Sequence, residues 1–202
     1  VGIYNSATGT LNIYSSKVYN PTCHSGTTCR NCAGIHHTNN SATTNIWNTV
    51  VDGFKTGFDE CAGYAYGTFN VKNSIARNST TADLIGKINS FSYGFYSTSS
   101  ANGYGSSPTI SNSSTSDPLF VNEGSDDFHL QDGSTAIAYG TTGGPAFDFS
   151  NASWPNATPE AGCYGKSAVT NTLPVASSVS IDSAAASINL TEGTTKSVSC
   201  AA

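Results

Sequence analysis

Residues 69–78, FNVKNSIARN, follow the same pattern as residues 11–20, LNIYSSKVYN, and residues 44–53, TNIWNTVVDG. The three segments align without gaps, with Asn at the second position and an aliphatic residue at the third. Their starts lie 25 residues apart between 44 and 69, and 33 apart between 11 and 44, where the Cys-rich residues 21–32 are inserted. A weaker fourth copy runs through residues 85–97. Repetition at such a period is typical of folds that stack one structural unit on the next.

The repeat and the composition together predict an all-β fold, namely a right-handed parallel β-helix in which each copy is one coil. Strong helix formers are scarce, whereas 10 Tyr, 9 Phe and many Val and Ile residues favour strands. Such coils stack ~4.8 Å apart, the ordinary spacing of strands. A β-sandwich also suits short strands with Gly-rich turns, but the position-by-position alignment favours the β-helix.

The alignment also predicts which side chains point into the coil. Two aliphatic rows are expected in its interior: Ile13, Ile46 and Val71 in the first, and Val18, Val51 and Ala76 in the second. A third row falls at the turn between them: Ser15, Asn48 and Asn73. At a sharp turn, stacked Asn side chains hydrogen-bond along the axis and satisfy the bent backbone. These Asn residues are therefore interpreted as structural.

Two outward rows hold the candidate functional residues: Tyr14, Trp47 and Lys72 in one, and Tyr19, Asp52 and Arg77 in the other. The apolar faces of pyranose rings stack on aromatic rings, so Tyr14, Trp47 and Tyr19 are the candidate ligand-binding residues. The alternative is that these rings only cover a coil or pack under a loop. Asp52 and Arg77 lie on adjacent coils, either as a surface ion pair or as part of an acid/base constellation.

Composition excludes several classes of protein. The 202 residues carry a formal net charge of -5, and only eight are Lys or Arg, so no basic surface for nucleic acid is expected. No run of ~18 apolar residues is present, which argues against a membrane-spanning helix. The chain contains no Met and no signal peptide, as expected of a processed product or a fragment.

The cysteines favour an oxidising compartment. Six are present: Cys23, Cys29, Cys32, Cys61, Cys163 and Cys200. Disulfides are the favoured interpretation, with the pairing left open among 15 possibilities for six cysteines. Zinc is the alternative because His24, His36 and His37 lie near the first three cysteines, although their spacing fits no standard zinc finger. No metal site is assigned.

A resemblance enters at residues 116–140, SDPLFVNEGSDDFHLQDGSTAIAYG. This stretch resembles the end of the β-helix in bacterial secreted proteins of the polysaccharide-lyase-like parallel β-helix superfamily, in particular the choice-of-anchor Q type. Three steps match: DPLFVN at 117–122, DFHL at 127–130 and GSTAIAYG at 133–140. In the third step, Thr135 and Ala138 stand where the family has Pro and Asp. PEAGCYG, at 159–165, is similar to the family ending.

The last residues resemble a different module. VASSVSIDSAAASINLTEGTTKSVSC, at 175–200, looks like the opening strands of a bacterial Ig-like module of the group 2 type. We therefore expect a parallel β-helix with a C-terminal cap region over 1–165, a linker over 166–174 and a partial Ig-like β tail over 175–202. Strands with unpaired edges need a partner, so strand addition through this tail would build a filament.

Two functions follow as expectations. The resemblance implies a secreted or cell-surface protein that contacts extracellular polysaccharide by binding, and also by cleavage if it is an enzyme. Lyases of the superfamily use Lys or Arg bases, often with Ca²⁺, and hydrolases use carboxylate pairs. The candidate catalytic residues are Lys72, Arg77 and Asp52, although no motif assigns them. No cofactor is assigned, and Asp126 and Asp127 are the candidate ligands if Ca²⁺ binds. The alternative function is a structural or adhesive subunit of an extracellular filament, assembled by strand addition or coil stacking.

The same resemblance implies a structural role for His129, which sits in the cap motif. Lys17 is a further candidate base, and Asp59 or Glu60 are candidate carboxylate partners of Asp52, although the spacing singles none of them out. Whether the chain is an enzyme stays open at this point.

Overall fold

The computed structural model describes residues 2–23, 32–60, 67–101 and 105–166. Residues 1–168 belong to one compact unit. The segment predicted as a partial Ig-like module, residues 175–202, lies outside the described residues, so the prediction of self-assembly through it stays a prediction.

Short strands account for almost all the regular structure of the described residues. They are β1 (Ile3–Asn5), β2 (Gly9–Tyr14), β3 (Lys17–Cys23), β4 (Ala33–His37), β5 (Ala42–Trp47), β6 (Val50–Phe54), β7 (Thr56–Glu60), β8 (Thr68–Lys72), β9 (Ile75–Arg77), β10 (Ala82–Gly86), β11 (Ser90–Ser92), β12 (Phe95–Tyr96), β13 (Ser99–Ser100), β14 (Ile110–Ser111), β15 (Phe120–Asn122) and β16 (Asp127–Leu130). A single 3-10 turn, Glu123–Ser125, separates the last two strands.

Fourteen of these strands form three parallel sheets. Sheet A has the order β1-β4-β7-β10-β13, sheet B the order β14-β11-β8-β5-β2, and sheet C the order β12-β9-β6-β3. The chain therefore visits the three sheets in turn, and each set of three consecutive strands, here called a rung, pairs with the next set. The prediction of an all-β fold is confirmed, and the stacked parallel sheets are consistent with the predicted parallel β-helix.

The register of the strands reproduces the sequence alignment. Ile13 pairs with Ile46 and Ile46 with Val71 in sheet B, while Val51 pairs with Val18 and with Ala76 in sheet C. The fourth copy follows, because Phe91 pairs with Val71 and Phe95 with Ile75. A shift of one residue in the pairing register would turn every side chain of a strand to the opposite face. The sequence alignment therefore predicts correctly which side chains point into the core.

The core lies between the three sheets. It contains Ile35 and Phe58 from sheet A, Ile46 and Phe69 from sheet B, and Val51 from sheet C, all at most 1% exposed. The ring of Phe58 meets those of Phe69 and Phe91 at centroid distances of 6.5 and 6.1 Å. Burying a side chain of this size stabilises a fold by about 1.5–3 kcal/mol.

The turn between sheets B and C repeats one strained backbone conformation. Its residues have positive φ in every rung: Ser15 (39°), Asn48 (49°), Asn73 (49°), Tyr93 (55°) and Asn112 (45°). Asn tolerates this region better than most residues, because its short polar side chain hydrogen-bonds locally. The predicted row of turn residues is therefore found in place.

Residues 116–166, here called the flanking segment, cover the outer face of sheet C. The segment begins with an antiparallel hairpin of β15 and β16. Phe120, Phe128 and Leu130 of the hairpin pack in a second apolar cluster with Val50 and Ile75 of sheet C. Sheet C is therefore covered on both faces, although Lys17, Tyr19 and Arg77 on its outer face are only half-buried. The sequence predicted a cap at the end of the coils, whereas these residues lie along the side of the coils.

The described cysteines divide into two states. Cys32 is disulfide-bonded, while Cys163 is a free thiol, 0% exposed in the cluster beneath the flanking segment. The predicted participation of Cys163 in a disulfide is wrong, because its side chain is enclosed by apolar neighbours. The side chains of Cys23, Cys29, Cys61 and Cys200 lie outside the described residues. Within the described ranges, no helix is long and apolar enough to cross a membrane.

Candidate functional site: an aromatic surface at the edge of sheet B

The predicted ligand row lies on the outer face of sheet B. Tyr14 pairs with Trp47 and Trp47 with Lys72, so the three side chains stand on successive rungs. Tyr14 is 48% exposed, while Trp47 and Lys72 are half-buried. The Nζ atom of Lys72 lies 4.9 Å from the centre of the Trp47 ring, a cation–π contact. The three residues therefore form the predicted row on the outer face, and of the three only Tyr14 is largely exposed.

A loop of the flanking segment covers the rest of this row. Residues 141–147, here called the strap, cross three rungs at the turn between sheets B and C. Asn73 accepts a hydrogen bond from the Thr141 N–H (2.8 Å) and donates one to the Thr141 carbonyl (2.8 Å). A Cβ on Gly144 would lie 2.7 Å from the Trp47 ring, so the strap reaches the ring only because this residue is glycine. For Trp47, the alternative interpretation, packing under a loop, is confirmed.

The strap brings further rings to the exposed end of the row. The Ser15 hydroxyl donates to the Phe147 carbonyl at 2.6 Å, which fixes the strap beside Tyr14. Phe147 and Phe149 are 50% and 45% exposed. Lys17 Nζ lies 5.4 Å from the centre of the Phe149 ring. Tyr14, Phe147 and Phe149, here called the aromatic edge, thus present three rings of similar exposure at one side of the molecule.

An amide ladder runs along the same sheet face, one row inward from the aromatic edge. Asn45 Nδ2 donates to Asn12 Oδ1 at 3.0 Å, and Asn70 Nδ2 donates to Asn45 Oδ1 at 3.0 Å. Asn12 is exposed, and the other two are half-buried. The ladder gives this face regularly spaced polar groups next to the aromatic rings.

The second outward row differs from its prediction. Tyr19 and Asp52 were expected on the surface, but the hairpin covers this part of sheet C. Tyr19 is half-buried, and its ring packs edge-on against Phe128 at a centroid distance of 5.5 Å. Asp52 is only 3% exposed. The placement of this row on the surface is wrong, because the flanking segment supplies a partner that the repeat alone does not reveal.

Asp52 is bonded to an amide instead of to Arg77. The Asn78 amide donates to Asp52 Oδ2 at 2.7 Å and to Glu123 Oε2 at 3.0 Å. Burial raises the pKa of Asp52 to about 7, against the lowering effect of the Asn78 hydrogen bond, and the charges of Glu123 and Asp83 add to the rise. The amide occupies the space between the two carboxyl groups, where a hydrolase would hold a water or a sugar.

Arg77 is also engaged by the flanking segment. Its guanidinium donates to the Ser116 carbonyl at 3.2 Å and lies 3.8 Å from Asp117 Oδ1. The predicted surface ion pair of Arg77 with Asp52 is therefore replaced by contacts with residues 116–117. The three candidate catalytic residues do not converge: Lys72 stands on the Trp47 ring of sheet B, whereas Asp52 and Arg77 lie beneath the hairpin on sheet C.

The carboxylates and other side chains that could ligate a metal ion do not cluster among the described residues. Among these residues, no group of three or more His, Cys, Asp or Glu side chains has the geometry to hold a metal ion. Asp126 Oδ2 lies 2.8 Å from Lys17 Nζ, and Asp127 Oδ1 lies 2.6 Å from His129 Nδ1. The two carboxylates weighed as Ca²⁺ ligands are thus paired with cationic or hydrogen-bonding side chains.

Sequence reasoning missed Phe147 and Phe149. The alternating aromatic pattern FDF at 147–149 is visible in the sequence, but these residues lie outside the repeat, so no register connects them to Tyr14. The Asn12–Asn45–Asn70 ladder could have been predicted from the sequence, since Asn occupies the second position of all three aligned segments. No family model, curated protein or solved structure matches the chain, so the surface itself has to support a functional hypothesis.

Proposed function

We propose that this protein binds extracellular polysaccharide through the aromatic edge and the adjoining outer face of sheet B. The observation that carries the proposal is the set of three rings at 45–50% exposure, Tyr14, Phe147 and Phe149. Contacts of Phe147 with Ser15 and of Phe149 with Lys17 place the two Phe residues beside Tyr14. Exposed rings gathered at one place are otherwise costly, because each leaves apolar area in water.

Sugar chains suit this surface for a physical reason. Pyranose rings have apolar faces that stack on aromatic rings, while their hydroxyl groups need hydrogen-bond partners. The Asn12–Asn45–Asn70 ladder offers such partners at intervals of one rung, ~4.8 Å. This interval is comparable to the length of one sugar unit in an extended chain.

The same proposal includes the fold and the compartment. The three sheets are taken as the faces of a right-handed parallel β-helix of the polysaccharide-lyase-like type, to which the sequence is similar at residues 116–140. The disulfide of Cys32 supports an oxidising, extracellular or cell-surface location. A sheet face that is flat and repetitive is also well suited to a repetitive ligand.

Binding is favoured over cleavage by the arrangement of the candidate catalytic groups. The carboxyl of Asp52 is buried, and the Asn78 amide stands between it and Glu123. Lys72 lies over the Trp47 ring, on a different sheet from these carboxyls. A substrate seated on the aromatic edge would therefore contact rings and amides rather than an acid/base pair.

The test is affinity gel electrophoresis of the full chain through gels that contain a panel of neutral and acidic polysaccharides. At least one polymer is expected to retard the protein, and Tyr14→Ala is expected to weaken that retention about threefold to tenfold, the value of one aromatic stacking contact. Tyr4→Ala is the matched control, since Tyr4 is 43% exposed but lies on sheet A. Equal mobility in all gels would contradict the proposal.

A further inference from the structure

Phe149 also belongs to a second group of rings in the flanking segment. The ring of His129 stacks on that of Tyr164 with a centroid distance of 3.9 Å and an interplanar angle of 23°. Phe149 meets Tyr164 edge-on at 5.4 Å. The side chain of His129 is 52% exposed and Phe149 is 45% exposed, whereas Tyr164 is buried at 8%. These three residues are here called the aromatic shelf. The buried ring of Tyr164 supports the two exposed rings, with His129 stacked on it and Phe149 edge-on to it.

The shelf is held rigidly. The Phe149 N–H donates to the Cys163 carbonyl at 2.8 Å. Asp148, which is buried, accepts hydrogen bonds from the N–H groups of Ser150 (2.8 Å), Ala152 (2.9 Å) and Gly165 (2.9 Å). A surface whose rings are fixed in advance loses little side-chain entropy when a ligand stacks on it.

Charged groups border the shelf, and they are already paired. Lys17 Nζ lies 2.8 Å from Asp126 Oδ2, and the Asp127 carboxylate lies 2.6 Å from His129 Nδ1. The carboxylate of Asp126 compensates the ammonium of Lys17, so an acidic sugar would find no uncompensated cation here. The chain also carries a net charge of -5. An acidic polymer would therefore be repelled, whereas neutral hydroxyl groups would find acceptors in the two carboxylates.

We propose that the aromatic shelf is a binding subsite for a neutral sugar unit, and that the ligand is a neutral polysaccharide that runs from Tyr14 across Phe147 to the shelf. This inference rests on the proposed function and makes it more specific. Phe149 belongs to both the aromatic edge and the aromatic shelf, so a chain stacked on the edge reaches the shelf at this ring. His129, which the sequence assigned to a structural role, gains a place in the ligand surface.

The experiment uses the full chain in affinity gels that contain galactomannan or xyloglucan as neutral probes, and polygalacturonate or alginate as acidic probes. Wild-type protein is expected to be retained by a neutral probe and not by the acidic ones. Phe149→Ala and His129→Ala should each weaken neutral retention about threefold to tenfold, while Tyr4→Ala leaves it unchanged. Asp126→Asn should add retention by polygalacturonate, because it frees the Lys17 ammonium. Near-ultraviolet circular dichroism checks that each variant is folded.

Three other outcomes separate the two proposals. Retention by acidic probes alone would overturn the neutral ligand while leaving polysaccharide binding in place. Because Phe149 belongs to both surfaces, His129→Ala is the variant that separates them: neutral retention that falls in Tyr14→Ala but is unchanged in His129→Ala would overturn the subsite. Retention by no polymer would overturn both the proposed function and this inference.

Discussion

In the interior rows and the amide ladder of the coils, a side chain has a chemically similar neighbour one rung away, so that Asn45 donates to Asn12 and accepts from Asn70 at the same distance of 3.0 Å. In the flanking segment, the contacts follow no sequence repeat. Arg77 meets Asp117, and the turn residues Ser15, Asn48 and Asn73 donate to the carbonyls of residues 147, 160 and 141, which have no common spacing along the chain. The difference teaches that repetition fixes an interior, while single long-range contacts decide which parts of the exterior stay open to a ligand.

The largest expected loss of stability comes from core substitutions, which affect the coils and the flanking segment differently. Phe58→Ala opens a cavity among the rings of Phe69 and Phe91 and should lower the free energy of unfolding by about 3–5 kcal/mol. The matched variant is Phe128→Ala, since Phe128 of the hairpin is 1% exposed and packs against Tyr19 of sheet C. We expect it to loosen the flanking segment while the coils stay folded.

Urea unfolding followed by intrinsic fluorescence measures the first variant, and limited proteolysis locates the opening in the second. Cleavage of Phe128→Ala confined to residues 116–166 would support two regions of different stability. A single cooperative transition, with an equal loss of unfolding free energy in both variants, would show that the coils and the flanking segment unfold as one unit. The two regions would then not differ in stability.

The next effect concerns Asn73, where the two regions meet. Asn73→Ala removes the hydrogen bonds to Thr141 and to Asn48, and replaces an Asn, which tolerates the φ of 49°, with a residue that lacks the local side-chain hydrogen bonds. A loss of about 2–4 kcal/mol is expected from the unpaired groups and the backbone strain. Asn73→Gly is the control that accepts the positive φ without strain, so the difference between the two thermal midpoints isolates the strain. Equal midpoints would mean that the strain contributes nothing.

A smaller effect depends on pH. Because the pKa of Asp52 rises from 3.8 in the unfolded chain to about 7 in the folded one, the folded protein holds this proton more tightly. The contribution to stability is full below pH 3.8 and is lost as pH rises through about 7. The groups that face Asp52 are Asn78, Glu123, Asp83 and Arg77.

Asp52→Asn should therefore stabilise the protein by about 1–3 kcal/mol at a pH above 7 and flatten the dependence of its thermal midpoint on pH. The measurement is differential scanning calorimetry at pH values from 3.8 to above 7. Glu123→Gln provides the comparison from the flanking segment, since it removes one of the charges that disfavour ionised Asp52. A wild-type midpoint that climbs steadily as pH rises through this range would refute the assignment.

The smallest effect lies in the amide ladder. Asn45→Ala breaks two amide hydrogen bonds at a half-exposed position, where water replaces them, so a loss below about 1 kcal/mol is expected. Thr158→Ala tests an exposed hydrogen bond of the flanking segment, from its hydroxyl to the Ala138 carbonyl at 3.1 Å. Urea titration compares the two variants, and a loss in Asn45→Ala of several kcal/mol would mark the ladder as cooperative.

Sequence reasoning succeeded where the physics repeats. The inward rows of Ile46 and Val51, the turn at Asn48 and the outward Tyr14 all follow from one alignment. It failed for Tyr19 and Asp52, because the surface that covers them comes from residues far along the chain that obey no period. For the same reason it placed Trp47 correctly on the outer face but did not identify its cover, and it overlooked Phe147 and Phe149. Cys163 was counted among the disulfides, since composition gives no sign of which cysteine is enclosed.

The strap also has a consequence for how this molecule changes in length. Its successive contacts fall on Asn73 at residue 141, on Trp47 at residue 144 and on Ser15 at residue 147, which is three strap residues for each rung. Duplication of a coil between Trp47 and Lys72 would lengthen the stack by one rung and leave the strap too short to reach both ends in register. The strap thus acts as a molecular ruler, so that coils are more easily gained beyond its reach, after the third rung, than within it.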